Sequence, residues 1–181
     1  MLSRLQRKTY SIGVGALLTL FVVMPSAALA QDEQRSSFAA SVFKGVILDP
    51  TTYAPAVIAY DATMRDWNTS QPLFRYGYVE MNSRFTVSGM PRDTPLSYQD
   101  GNRKILSDAF GNFGMSVANN VTARLFERAL SDRFPNHRKL VRTLSWIERS
   151  AFASYWSYKL SADHYRQATR NQRMAADLGI R

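Results

Sequence analysis

Three side chains are the sequence's candidates for acid–base chemistry: Glu148, His164 and Asp61. Glu148 lies in the chain between Trp146 and Phe152, and burial among aromatic rings would raise the pKa of a carboxyl group. His164 lies at the edge of a predicted apolar helix face, where a partly buried imidazole could exchange protons. No motif surrounds any of the three, so the simpler interpretation is that each is a hydrogen-bonded or ion-paired polar residue.

Other catalytic and cofactor motifs are absent from the sequence. It contains no cysteine, no glycine-rich phosphate loop, no G-x-S-x-G nucleophile and no H-E-x-x-H pair. With 2 histidines in all, a three-histidine metal site is impossible. We therefore predict neither a metal nor a cofactor, and no reaction can be assigned from the sequence.

A second set of residues is suited to binding rather than to catalysis. Cationic and aromatic side chains recur at helical steps on one side of a predicted helix. They are Arg138, Arg142, Arg149, Phe152, Trp156 and Lys159. Such surfaces are typical of proteins that bind anionic membranes or envelope polymers. The alternative is a helix buried on two sides, whose guanidinium groups stack on rings or pair with acids.

All of these residues except Asp61 belong to one long predicted helix, from Pro135 to about Ala168. Proline is tolerated in the first turn of a helix, so Pro135 marks its start. An apolar face recurs at steps of three and four residues and predicts the side that is buried. It comprises Leu140, Leu144, Ile147, Ala151, Tyr155, Tyr158, Ala162 and Tyr165. Ser161 could instead cap a separate short helix.

Shorter predicted helices pack around this long helix. One pair lies within residues 36–70, broken at Asp49-Pro50 because the residue before proline disfavours helix. Thr51 or Thr52 can cap the second of that pair. Another helix runs from about residue 102 to 133, and residues 72–88 favour a helix, with a strand hairpin left open. We predict an all-α fold, a compact bundle of about four to six helices around one long central helix.

The first 30 residues have the features of a secretory signal peptide. Three basic residues precede an apolar run, Ser11 to Met24, and the segment ends in the A-x-A pattern of Ala28 to Ala30. The run has about 14 residues, fewer than the ~20 that span a bilayer. We predict cleavage after Ala30, with an uncleaved signal anchor as the alternative.

Residues 31–181 are then one helical domain, with frayed ends at 31–37 and 174–181. The A-x-A signal and the absence of cysteine together indicate a periplasmic or secreted bacterial protein.

Charge is unevenly distributed along the chain. Residues 31–100 carry 6 basic and 8 acidic side chains, a net charge of −2, and residues 101–181 carry 14 basic and 6 acidic, a net charge of +8. A basic half on an exported protein indicates an anionic membrane surface or envelope polymer as the partner. Nucleic acid is disfavoured as a partner outside the cytoplasm. A homo-oligomer paired through the aromatic helix is a further interpretation.

Two runs of the sequence resemble a family of exported bacterial proteins without an assigned function. They are DPTTYAPAVIAYDATMRDW, from Asp49 to Trp67, and LVRTLSWIERSAFASYWSY, from Leu140 to Tyr158. The resemblance covers most of residues 31–181. It implies export, but it implies no activity and no site residues.

From these features we predict a non-catalytic exported helical protein that acts in the bacterial cell envelope through its basic and aromatic helix face. The alternative is a small exported enzyme, hydrolase-like, with an acid–base cleft that uses Glu148, His164 and acids from residues 49–66, Asp61 among them. A concave pocket in which Glu148 or His164 converges with another polar group would favour the enzyme.

Overall fold

The computed structural model describes residues 32–180, so the predicted signal segment and its cleavage site lie outside the described residues. The described chain forms α1 (Asp32–Ile47), α2 (Ala54–Arg75), α3 (Tyr98–Arg133) and α4 (Arg138–Asp177). Short 3-10 turns occupy Pro50–Thr52, Ser83–Phe85 and Pro135–His137. Within residues 32–180 the only β pairing consists of two isolated bridges, so the prediction of an all-α bundle is confirmed. None of the described helices is both long enough and apolar enough to cross a membrane.

The ends of the helices follow from local sequence. The α1 helix ends at Ile47, just before Asp49-Pro50, as predicted. Asp49 Oδ1 accepts a hydrogen bond from the Thr51 N–H over 3.1 Å and caps the 3-10 turn. Thr51 and Thr52 therefore lie inside that turn, and the prediction that one of them caps the next helix is wrong.

Helix α4 is longer than predicted and is not broken. It continues past Ala168 to Asp177, and its 40 residues extend over about 60 Å at 1.5 Å per residue. The Ser161 hydroxyl donates a hydrogen bond to the carbonyl of Ser157 over 2.6 Å. Because the hydroxyl is satisfied one turn back within the helix, Ser161 does not act as a cap for a new one.

The face of α4 that packs into the bundle is not its apolar face. Its buried residues are Arg149, Ala153, Ser157, Ser161, Ala168 and Asn171. Helix α2, which packs along α4, also buries small residues, among them Ala59 and Ala62. Small side chains on both helices allow their backbones to approach closely. The predicted apolar face is left outside, with Leu144 55% and Tyr158 67% exposed, so that prediction is wrong.

The chain between α2 and α3 is a loop pinned at two points. It pairs through the isolated bridges Glu80–Asp93 and Thr86–Pro95, so residues 76–88 form neither the favoured helix nor a regular hairpin. Phe85 of this loop enters a core cluster with Trp67 of α2 and Ile105 of α3. Gly101 is needed beside this cluster, because a Cβ atom there would overlap the Trp67 ring.

Candidate functional site

Arg149, a residue of the predicted anion-binding face, lies in the interior of the bundle. Its side chain is 4% exposed, and its Nε donates a hydrogen bond to Asp49 Oδ2 over 3.0 Å. Its Nη1 donates to Glu127 Oε2 over 3.3 Å. A buried guanidinium paired with two carboxylates could reach an external anion only by losing both pairs. The structure therefore removes Arg149 from the predicted binding surface.

Asp49 is the carboxylate at the centre of this charged cluster, which we define as Asp49, Arg124, Glu127 and Arg149. Arg124 Nη2 donates to Asp49 Oδ2 over 3.1 Å. Burial raises the pKa of Asp49, but the hydrogen bonds from Thr51 and the charges of Arg149 and Arg124 outweigh burial. The pKa of Asp49 therefore lies below its ordinary value, and the group is ionised and paired at neutral pH.

The charged cluster continues into a buried polar network around Asn120 of α3. Asn120 Nδ2 donates to the hydroxyls of Thr51 and Thr52 over 2.9 and 2.7 Å. The Thr52 hydroxyl donates in turn to the carbonyl of Val46 over 2.7 Å. Because these polar groups satisfy one another, we interpret the network as a joint that attaches the α1–α2 turn to α3 and α4, not as a reactive site.

Arg138 and Arg142 lie towards α3, apart from the outer part of α4 that carries Lys159. Arg138 Nε donates to the carbonyl of Ser131 over 3.4 Å. Arg142 Nε lies 3.7 Å from Glu127 Oε1. Both arginines are exposed, but the surface they form borders the α3–α4 junction.

Phe152 and Trp156 are half-buried, and their ring centroids are 6.1 Å apart. Trp156 also contacts the ring of Tyr155 edge-on, at 5.6 Å between centroids. Lys159 follows on the exposed surface. The predicted face is thus divided into an internal arginine, two arginines near α3, and an outer aromatic part next to Lys159.

A different row of cations runs along one side of the second half of α4. This cationic stripe comprises Lys159, Arg166, Arg170 and Arg173, all of them exposed. At 100° per residue, their spacing places all four within about 60° around the helix axis. Among the described residues, only Arg166 of these four has a carboxylate within ion-pair distance, that of Asp163.

A groove of about 420 Å³ lies between the C-terminal half of α3 and the N-terminal half of α4. Apolar side chains such as Phe126, Leu130 and Leu144 form much of its lining, and Glu127 and Glu148 are its acidic residues. Glu148 is exposed, so the burial among aromatic rings that a catalytic role for it required does not occur. Glu127 is paired with Arg149 and lies 3.7 Å from Arg142, so Glu148 is the other acidic side chain of this lining.

His164 belongs to a separate cluster between α2, α4 and the loop after α2. Its Nδ1 lies 2.8 Å from Asp66 Oδ2, and Asn171 Nδ2 donates to Asp66 Oδ1 over 3.1 Å. Glu80 of the loop lines the same small pocket. The pocket has a volume of about 20 Å³, which is room for roughly one water molecule and none for a substrate.

The three candidates for acid–base chemistry do not meet. Glu148 and His164 are sixteen residues apart on α4, which is about 24 Å along the helix axis. Asp61 is on α2 and accepts hydrogen bonds from Arg65 Nε and the Tyr165 hydroxyl, each over 2.8 Å. These hydrogen bonds lower the pKa of Asp61. Across residues 32–180, no three His, Asp or Glu side chains are grouped so that they could hold a metal ion.

Asp49 and Asp66 fall within the range 49–66 whose acids were candidates for a cleft, whereas Glu80 was not selected from the sequence. Each partnership crosses a long stretch of chain, 100 residues for Asp49 with Arg149 and 98 for Asp66 with His164. No local spacing predicts such pairs. Arg149 does carry a signal, since it begins a row of small residues at steps of four that is typical of a closely packed helix face.

We expect Glu80→Gln to stabilise the protein at pH 7 and to weaken its dependence on pH. Burial raises the pKa of Glu80, so the folded state holds this proton more tightly than the unfolded chain does. The Glu80 contribution to stability therefore increases as the pH falls through the raised pKa towards the unfolded value of about 4.3. Glutamine supplies the neutral group at every pH.

Thermal unfolding of the wild type and of Glu80→Gln between about pH 4.5 and pH 7.5 measures this effect. The exposed Asp132→Asn is the matched control and should leave the melting temperature unchanged within error. A Glu80→Gln protein that melts below the wild type at pH 7 would contradict the expectation.

Comparison of the chain with protein-family models, with curated proteins and with solved structures returned no match. The resemblance of the two sequence runs to exported bacterial proteins therefore stays a prediction.

Proposed function

We propose that this protein is a non-catalytic exported helical protein that binds an anionic surface of the bacterial cell envelope. The observation that carries the proposal is the cationic stripe on the second half of α4. Its four cations share one side of a helix whose opposite side is packed in the bundle. Because Arg149 is buried and cannot contribute to the predicted anion-binding face, the proposal relies on this stripe instead.

The surroundings of the stripe support an interfacial role. Tyr155 lies one turn before Lys159, and Tyr158 directly precedes Lys159 in the chain. Their side chains are 59% and 67% exposed. Tyrosine and tryptophan rings at the level of lipid headgroups are typical of proteins that contact membranes. A row of cations with adjacent tyrosines therefore fits a surface of phosphate-bearing headgroups.

The enzyme alternative has less support from the geometry. The groove beside Glu148 contains one ion-paired and one exposed carboxyl group, and the pocket beside His164 holds only about one water. A hydrolase would need a nucleophile or an activated water between convergent polar groups. The pocket beside His164 does bring Asp66 and Glu80 towards the imidazole, but it leaves no room for a substrate.

A vesicle sedimentation assay tests the proposal. The protein is expressed in a host that exports it and is purified from the compartment in which it accumulates. The mass of the purified protein also shows whether it begins at Gln31. Binding is compared between phosphatidylglycerol and phosphatidylcholine vesicles, at about 0.1 M and about 1 M salt. We expect binding to the anionic vesicles alone, and its loss at high salt.

Substitution of the stripe should weaken this binding strongly. A cation near an anionic membrane contributes about 1 kcal/mol, so the triple variant K159Q/R170Q/R173Q should bind roughly 100-fold more weakly. The matched control, R103Q/R138Q/R142Q, removes the same charge from exposed arginines elsewhere and should lose less than about tenfold. Equal losses in both variants, or no binding by the wild type, would overturn the proposal.

A further inference from the structure

The outer side of the first half of α4 is an exposed apolar strip. It comprises Leu140, Leu144, Ile147, Ala151, Tyr155 and Tyr158. Its five large side chains are each between 49% and 67% exposed. Helical positions of this kind are normally the ones that a chain buries, since they recur at steps of three and four. The strip therefore has the pattern of a face that packs against another element. Within one copy of the chain, however, α4 packs into the bundle through a different side.

The spacing within the strip is that of a helix-pairing seam. Leu140, Leu144, Ile147 and Ala151 follow one another at steps of four, three and four residues. Alternating steps of three and four place side chains on the seam between two paired helices. The strip extends over about 27 Å from Leu140 to Tyr158 at 1.5 Å per residue.

We propose that the apolar strip pairs with the same strip of a second copy of this chain, with the two α4 helices antiparallel. In a twofold pair of antiparallel helices, residues on one flank of the seam meet residues on the same flank of the other copy. Glu148 and Lys159 lie on the same flank of the strip, eleven residues apart. A twofold axis that crosses the strip at the level of Ala153 along the helix places Glu148 within a turn of Lys159 of the second copy.

The same register pairs small side chains with large ones. With the axis at this level, Ala151 lies opposite Tyr155 of the second copy, and Leu144 lies opposite Ala162 of the second copy. Interdigitation of small and large residues is how closely packed helix pairs fill their interface. The strip thus complements itself in shape as well as in charge.

The available area matches the requirement of a stable pair. A standard interface buries about 800 Å² per partner, and a single aromatic side chain can bury about 150–250 Å². The strip contributes two exposed tyrosines together with two leucines and an isoleucine. Phe126 and Leu130, 60% and 44% exposed, continue the apolar surface into the groove beside Leu144.

Half of the cationic stripe lies beyond the region that would be paired. Arg166 would lie opposite Leu140 at the end of that region, and Arg170 and Arg173 follow on the C-terminal part of α4. A dimer of this geometry would hold these arginines at both of its ends. Self-pairing would cover Tyr155 and Tyr158 and would pair Lys159 with Glu148, so a dimer would contact an anionic surface mainly through the arginines beyond the strip. Dimer mass and vesicle binding are measured separately, so the failure of one can be told from the failure of the other.

Light scattering on a sizing column, followed by sedimentation equilibrium, tests the inference on the purified exported protein. We expect the mass of two copies at concentrations of tens of micromolar or less. L144E/I147E places charges on the strip and should raise the dimer dissociation constant roughly 100-fold or more. The matched control V57E/F110E changes apolar residues that are also more than 60% exposed and should leave the dimer intact.

Charge exchange distinguishes self-pairing from any other use of the strip. E148K or K159E alone replaces two attractive pairs with two repulsive ones and should weaken the dimer by about tenfold. The double variant E148K/K159E restores opposite charges across the axis and should restore the dimer. These variants alter exposed residues only, so they decide the matter even if L144E/I147E fails to fold.

A wild type that remains a single copy at high concentration would overturn the inference and leave the strip to a different protein. A dimer that is unaffected by both E148K and L144E/I147E would also overturn it. The inference would also be overturned if the double variant E148K/K159E dissociated more readily than E148K or K159E alone.

Discussion

Asp49→Ala is expected to lower the free energy of unfolding by about 3–5 kcal/mol, because it leaves buried arginine charge without its partner. Asp49 Oδ2 accepts from both Arg149 and Arg124, over 3.0 and 3.1 Å. The Arg149 side chain is 4% exposed, so water cannot replace the lost carboxylate. The variant also loses the cap of the 3-10 turn at Thr51. Urea unfolding followed by circular dichroism measures the change.

Asp61→Ala is the matched control for this prediction. Asp61 is also paired with an arginine, Arg65, over 2.8 Å, but its side chain is 45% exposed. An exposed ion pair of this kind contributes about 1 kcal/mol or less. Similar losses from the two alanine variants would mean that the charged cluster is not the joint described above.

The same cluster makes the protein sensitive to acid. The pKa of Asp49 lies below its ordinary value in the folded state, so the folded state favours the ionised form more than the unfolded chain does. Its contribution to stability is present above the unfolded pKa of about 3.9 and is lost as the pH falls through the lower, folded pKa. Asp49→Ala should therefore flatten the acid limb of the stability curve as well as lower its maximum.

Trp67→Ala is the second change expected to have a large effect, a loss of about 3–5 kcal/mol. The indole is 3% exposed and lies 5.4 Å from the ring of Phe85 and 5.8 Å from that of Phe74, between centroids. Its Nε1 donates to the carbonyl of Tyr98 over 3.4 Å. Truncation would leave a cavity between α2, the start of α3 and the loop that carries Phe85. Urea unfolding again measures the loss.

Hydrogen exchange gives this prediction a second readout. Residues 78–96 should lose protection in Trp67→Ala, because Phe85 anchors their loop to the same cluster. Trp146→Ala is the matched control, since Trp146 is 58% exposed and should cost about 0.5 kcal/mol or less. A Trp67→Ala protein with wild-type exchange in this loop would show that the loop is held elsewhere.

The helices themselves could be predicted from the sequence because their signals are local. The bend at Asp49-Pro50 and the periodic apolar positions of α3 and α4 all act over a few residues. Helix α3 starts about four residues before the predicted position, because caps such as Ser97, which accepts from the Asp100 N–H over 3.1 Å, are hard to distinguish from other polar residues.

The buried side of α4 could not be predicted in the same way. Periodicity shows which residues share a face, but it does not say whether that face packs within the chain or against something else. Here Ala153, Ser157 and Ser161 are buried on α4, and α2, which packs along it, buries several alanines of its own. Close packing of small residues leaves Leu144 and Tyr158 outside, which a pattern of apolar residues alone assigns to the core.

The candidate site shows the same division between local and long-range information. The exposed arginines of the second half of α4 follow from helical spacing, and Lys159 was among the predicted binding residues. Arg149 belongs to the same predicted anion-binding face as Lys159, yet it is neutralised by carboxylates 100 and 22 residues away in the chain. Its burial depends on where α1, α3 and α4 meet.

The sequence by itself determined that this chain is all-α, where the break between α1 and α2 lies, and that its second half is strongly basic. These properties depend on backbone geometry and composition, which act over short distances. Only the tertiary structure decided which arginine is internal, which apolar face stays in solvent, and that Glu148, His164 and Asp61 do not share a cleft. Those outcomes depend on which helix faces approach most closely, and that is a property of the whole packed bundle.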